Sequence, residues 1–79
     1  LDTLGWIYFK KGDLGKARSL IETALQKAPE SSALNYHLGM ILNQDGRKDE
    51  AREYLAKSLL GSDAFHGRQE AEDLLKELQ

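Results

Sequence analysis

The sequence predicts an all-α fold, two helical hairpins closed by one further helix, on three observations. The chain repeats itself at an offset of 34 positions: Leu4, Gly5, Ile7, Gly12, Ala17, Arg18 and Leu25 return as Leu38, Gly39, Ile41, Gly46, Ala51, Arg52 and Leu59. Within each copy the bulky apolar residues recur at spacings of three and four, the period of a single helix face. Gly12, Gly46, Gly61 and a lone proline fall between those periodic stretches, where chain reversals belong.

Each element follows from local chemistry. Residues 1–11 read as a first helix, with Leu4 and Tyr8 one turn apart on its inward face and Leu1 and Gly5 beside them. Gly12 ends it by reaching the left-handed backbone conformation without strain. Asp13 stands at the N-cap of a second helix, over 14–28, whose inner face is Ala17, Leu20, Ile21, Ala24, Leu25 and Ala28. Pro29 cannot continue that helix, and Ser31 caps a third over 32–45, which buries Leu34, Leu38, Ile41 and Leu42. Gly46 breaks the third helix. A fourth over 48–60 turns Ala51, Tyr54, Leu55, Ser58 and Leu59 inward, and Gly61, Ser62 and Asp63 form a turn. A last helix over 67–78 gathers Ala71, Leu74, Leu75 and Leu78 on one side, with Phe65 tucked beneath it. Its polar outer side suits the cap of a repeat array.

Small residues set how closely the hairpins close. Gly5, Ala17 and Ala24 in the first copy leave out side-chain bulk where two antiparallel backbones meet, and Leu4, Tyr8 and Ile21 fill the space around that approach. Gly39 and Ala51 repeat the device in the second.

The spacing of Leu4-Gly5, Tyr8, Gly12, Ala17, Ile21, Ala24 and Pro29 resembles the tetratricopeptide repeat, a 34-residue helix-turn-helix. The second copy keeps Leu38, Gly39, Leu42, Gly46, Ala51, Leu55 and Ser58, but has Asp63 where the family places proline. The resemblance implies a right-handed superhelical stack, an α-α solenoid. It divides the chain into repeat one at 1–31, repeat two at 32–65 and a capping helix at 66–79. Leu4 as the motif leucine leaves about three residues of the first helix unaccounted for, so a fragment of a longer array is expected. In finer detail the stretches DTLGW and YHLGM and the tail from Phe65 to Ala71 are similar to the last repeats of bacterial tetratricopeptide proteins, some tied to cell-surface protein sorting and exopolysaccharide export.

Composition narrows the function classes. Eleven basic and thirteen acidic side chains leave a net charge of −2, too balanced to draw in a nucleic acid by long-range attraction. The basic residues Lys10, Lys11, Lys16 and Arg18 are interleaved with acids, so phosphate tracking is not expected either. No cysteine is present, which removes disulfides and thiolate metal sites and leaves cytoplasm and periplasm equally compatible. No apolar run approaches the roughly 18 residues of a membrane span, so no direct membrane contact is expected of this segment. His37 and His66 stand 29 positions apart with no neighbouring ligands, and neither a nucleophile elbow nor a phosphate-binding glycine loop occurs. No enzyme activity, metal or cofactor is therefore expected.

Function is expected instead from the first helix of each hairpin. In the resembled family these helices line the concave side of the superhelix, where peptides bind. Carried onto this chain, that strip is Asp2, Trp6, Phe9 and Lys10, followed by Ala33, Tyr36, His37, Met40, Asn43 and Gln44. Large aromatic and thioether side chains on such a strip are hot-spot material. The plainer alternative makes Trp6 and Phe9 part of the core. A subclass of the family grips a chaperone's terminal carboxylate through lysine and asparagines. Asp2, Trp6 and His37 stand at those places, so a peptide with apolar anchors is the expected partner. The rival expectation is structural: the unit exists to stack, with Leu1, Trp6 and Ile7 meeting a second copy in a homodimer through the N-terminal face.

Overall fold

The structure is a computed structural model that describes residues 2–61 and 65–79, with side chains described from Leu4 onward. Leu1, expected beside Leu4, and Ser62 and Asp63, expected in a turn, lie outside the described residues, as does the side chain of Asp2. Among the described residues five helices follow one another: α1 (Asp2–Lys11), α2 (Leu14–Lys27), α3 (Ser32–Gln44), α4 (Lys48–Ser58) and α5 (Arg68–Leu78). Each packs against the next, and α1 also touches α3. None is long and apolar enough to cross a membrane.

The stops and starts are local chemistry. Gly12 and Gly46 adopt φ of +88° and +84° and turn the chain out of α1 and α3. The Asp13 carboxylate accepts from the Lys16 amide at 3.2 Å, and the Ser31 hydroxyl accepts from the Leu34 amide at 3.2 Å, so both caps satisfy amides that the helix cannot. Helix α4 stops at Ser58, two residues short of the expected Leu60. Its final amides turn to carbonyls three residues back, Leu59 to Ala56 and Leu60 to Lys57, and the Ser58 hydroxyl donates to the Leu55 carbonyl at 2.6 Å. That tightened last turn leaves Leu60 pointing outward.

The core sits between the hairpins. Ala17 and Ile21 of α2, Leu34, Leu38, Ile41 and Leu42 of α3 and Ala51 of α4 form one buried cluster. A second joins Tyr36, Leu55 and Ala71, with Phe65, Leu74 and Leu75 packed against it, and ties α5 to the rest. Backbone approach is close where glycine was expected to allow it. A methyl group at Gly5 would lie 2.7 Å from Ile21 Cδ1, and one at Gly39 would lie 2.8 Å from Leu55 Cγ.

Two inward assignments are corrected. Ala28 is the exposed C-cap of α2, because the helix ends one residue early at Lys27. Leu4 is 44% exposed and its neighbour Ile7 45%, whereas their counterparts Leu38 and Ile41 are 1% and 0% exposed. The residues and their register are the same. The difference is that α3 lies between α2 and α4, while among the described residues α1 packs on α2 and touches only an edge of α3.

Candidate functional site

Spacing of three along α1 places Trp6 and Phe9 on one side of the helix, and their rings stack with centroids 4.5 Å apart and 13° between planes. Trp6 also stacks on His37 of α3, at 4.2 Å and 19°, and leans on Tyr36 at 6.0 Å. Tyr36 in turn meets Phe65, just ahead of α5, at 5.8 Å. A continuous aromatic ridge therefore runs from α1 across α3 to the start of α5. Cations border it at both ends, with Lys10 Nζ 5.6 Å from the Trp6 ring and the Arg68 guanidinium 5.9 Å from the Phe65 ring. Each such contact is worth about 0.5–1 kcal/mol at an exposed edge.

The expected strip divides into floor and surface. Tyr36 and His37 retain 4% and 9% of their exposure, so they form the floor on which Trp6 and Phe65 lie, not the solvent-facing contacts that were expected. Burial follows from long-range neighbours: Trp6 comes from 30 positions before Tyr36 and Phe65 from 29 positions after it. Trp6, Phe9 and Met40 are half-buried, and Lys10 and Gln44 are exposed. Phe9, Lys10 and Gln44 share a shallow cleft of ≈ 360 Å³ with Gly12 and Leu14. Asn43 is half-buried and already engaged, its Oδ1 accepting from Lys48 Nζ at 2.6 Å. Trp6, assigned to a homodimer face in the rival expectation, is occupied by this intrachain stack, unlike Ile7.

Two members of the ridge escaped the sequence argument. Phe65 was expected only beneath α5, and Gly67 only as a helix start. Gly67 is the N-cap of α5 at φ +96°, and the Tyr36 ring lies so close that a methyl group there would come within 2.5 Å of it. A glycine two residues after an aromatic was the only available signal. A cleft of ≈ 610 Å³ lies elsewhere, between α4 and α5. It is lined by Arg52, which donates to the Leu78 carbonyl at 2.9 Å and pairs with Asp49. Among the described residues no group of three or more His, Cys, Asp or Glu could hold a metal ion.

Burial raises the Tyr36 phenol above its usual 10.0, and the Glu70 carboxylate raises it further. The folded protein thus holds this proton more tightly than the unfolded chain does. The stability it contributes is complete below about pH 10 and falls as pH climbs through the raised folded value. Urea titrations above pH 10 are expected to show a steeper loss of stability in the parent chain than in Tyr36→Phe. Equal slopes would mean that Tyr36 is not the group responsible.

The family profile described as tetratricopeptide repeat matches residues 3–66. Among curated proteins, the chain is 32% identical over 83 residues to "Protein SULFUR DEFICIENCY-INDUCED 1" of Arabidopsis thaliana, a match that covers all of this chain. The chain spans 27% of that relative's length. No solved structure matches it.

Proposed function

Since this chain belongs to the tetratricopeptide repeat family, whose repeats mediate protein–protein interactions, we propose that it is a noncatalytic scaffold that receives a peptide segment of a protein partner across α1 and α3. The observation that carries this is the open edge of the Trp6–Phe9 stack, a half-buried aromatic pair with Lys10 against it. Trp6, Phe9 and Met40 would supply apolar contact, and Lys10, Asn43 and Gln44 polar contact. Tyr36 and His37 would hold the floor, and Asp2 would stand at the near end. In a right-handed superhelical stack of repeats at 1–31 and 32–65, capped by 66–79, this face would be the concave one. Because Trp6 and His37 occupy the carboxylate-clamp positions, a segment with apolar anchors fits better than a free C-terminus. The finer likeness to bacterial repeats of protein sorting and exopolysaccharide export extends the proposal to a partner in such a system.

The test is capture from a displayed peptide library, followed by affinity measurement on variants whose helicity matches the parent by circular dichroism. Lys10→Glu and Gln44→Ala alter exposed side chains and leave the floor intact. Trp6→Ala with Met40→Ala removes the anchors, and a loss of about 2 kcal/mol, roughly thirtyfold in affinity, is expected. Undiminished binding by both sets of variants would move the site elsewhere.

A further inference from the structure

Charge is distributed unevenly along the aromatic ridge. On the α1 side Lys10 Nζ stands 5.6 Å from the Trp6 ring, and just past α3 Lys48 reaches back to the Asn43 side chain at 2.6 Å. Among the described residues neither lysine pairs with an acid, since Asp45 faces Arg18 and Arg47, and Asp13 caps α2. The α5 side has the opposite sign. Continuing the 34-residue count places Glu70 level with Tyr36, Leu74 with Met40 and Glu77 with Asn43, so α5 prolongs the strip with two acids. Packing agrees: Gly67, one turn before Glu70, lies against the Tyr36 ring, and Leu74 and Met40 share one apolar cluster. The Glu70 carboxylate is near enough to add to burial in raising the Tyr36 phenol. Among the described residues neither Glu70 nor Glu77 makes an ion pair. Arg68 does not offset them, because it donates to the Gly61 carbonyl at 3.0 Å and lies 3.7 Å from Glu72.

Resting on the peptide-binding face proposed above, we infer that the face is polar and orients its partner: an extended segment with an acidic side chain over Lys10 and Lys48, apolar side chains on Trp6 and Met40, and a basic side chain over Glu70 and Glu77. The four charges are exposed, so they can meet a partner without first giving up one another. Attraction comes from the apolar middle, and the two ends supply selectivity, since a segment with the same sign at both ends meets like charge at one of them. Ring centroids from Phe9 through Trp6 and Tyr36 to Phe65 follow one another at 4.5, 6.0 and 5.8 Å. An extended chain covers that path in about five residues at roughly 3.3 Å each, which sets the spacing between the partner's acid and its base.

The test titrates three blocked peptides of about seven residues into the 79-residue chain while backbone amide shifts are followed. One has glutamate first and lysine last, one glutamate at both ends and one lysine at both ends, each with leucines between. The mixed peptide is expected to bind about two- to fivefold more tightly than either of the others, the size of an exposed ion pair. A nitroxide on its glutamate end should broaden the amides of Phe9 and Lys10. Exchanging all four charges, by Lys10→Glu, Lys48→Glu, Glu70→Lys and Glu77→Lys together, should keep the preference and turn the peptide round, so that the same label broadens Glu70 and Leu74. All four side chains are exposed, and circular dichroism checks that the fold is kept. Equal binding of the three peptides, tighter binding of a single-sign peptide, or a label that stays over α1 after the exchange would each overturn the inference. If Trp6→Ala with Met40→Ala still weakened all three peptides, the peptide-binding face would stand without its polarity. Absence of binding by every peptide would overturn the polarity, and a blank library screen beside it would remove the face as well.

Discussion

Gly39→Leu is expected to be among the most damaging single substitutions in this chain, lowering stability by about 1–3 kcal/mol or more through overpacking. The added side chain would meet Leu55 Cγ and Cδ2 at 2.8 Å and the Leu55 amide nitrogen at 3.3 Å. Leu55 is itself fully buried, so it has nowhere to retreat. A backbone atom among the contacts means that α3 and α4 must separate, not merely rearrange a rotamer. Gly5→Leu is expected to cost less. There the nearest atoms are the outer end of Ile21, Cδ1 at 2.7 Å and Cγ1 at 3.0 Å, with the Ala17 carbonyl oxygen at 3.5 Å. A chain near this length draws only about 3–5 kcal/mol from its core, so the Gly39 variant should lose a large share of the parent's stability. Urea denaturation of both variants checks the order, and a Gly39→Leu midpoint near that of the parent would contradict the packing of α3 on α4.

Gly67→Ala is expected to uncouple α5 from the hairpins. Two costs combine at this position. Its φ of +96° is one that residues with a side chain reach at about 1–3 kcal/mol, and the new methyl would fall 2.5 Å from two Tyr36 ring carbons and 2.8 Å from the hydroxyl oxygen. Gly12 and Gly46 provide the control, since they share the positive φ but have open space around them. Gly12→Ala and Gly46→Ala should therefore show the backbone cost alone. The excess in Gly67→Ala measures how firmly Tyr36 holds the start of α5. Amide hydrogen exchange at Leu74 and Leu75 reads this out, with protection lost there before it is lost at Ile21 or Ile41. Exchange that rises uniformly across all five helices would show that α5 unfolds with the rest.

The family was legible because its motif returns at an offset of 34 residues, and the order of helices because it rests on short-range facts. Asp13 and Ser31 cap the helices that begin within one residue of them, and Gly12 and Gly46 turn the chain where they stand. The close approach at Gly5 and Gly39 was legible too, since the repeat writes the same gap in bulk twice, opposite the same partners. The candidate site was legible as a set of residues but not as a surface. Trp6, Phe9, Tyr36, His37 and Met40 do gather along α1 and α3, yet nothing near Tyr36 in the chain announces that Trp6 and Phe65 will cover it. Helical spacing says which residues share a side of a helix. It does not say how many neighbours that side will have.

Leu4 and Leu38 express that division most clearly. Chain chemistry alone settled that this is an all-helical pair of hairpins with a closing helix, because caps, breakers and apolar period act over a few residues and need no partner. Packing in space settled which of two identical leucines is core, which half of the aromatic strip is floor, and that Tyr36 anchors Gly67. Burial is a property of what lies on the far side of a residue, and for these residues the far side belongs to elements distant in the chain.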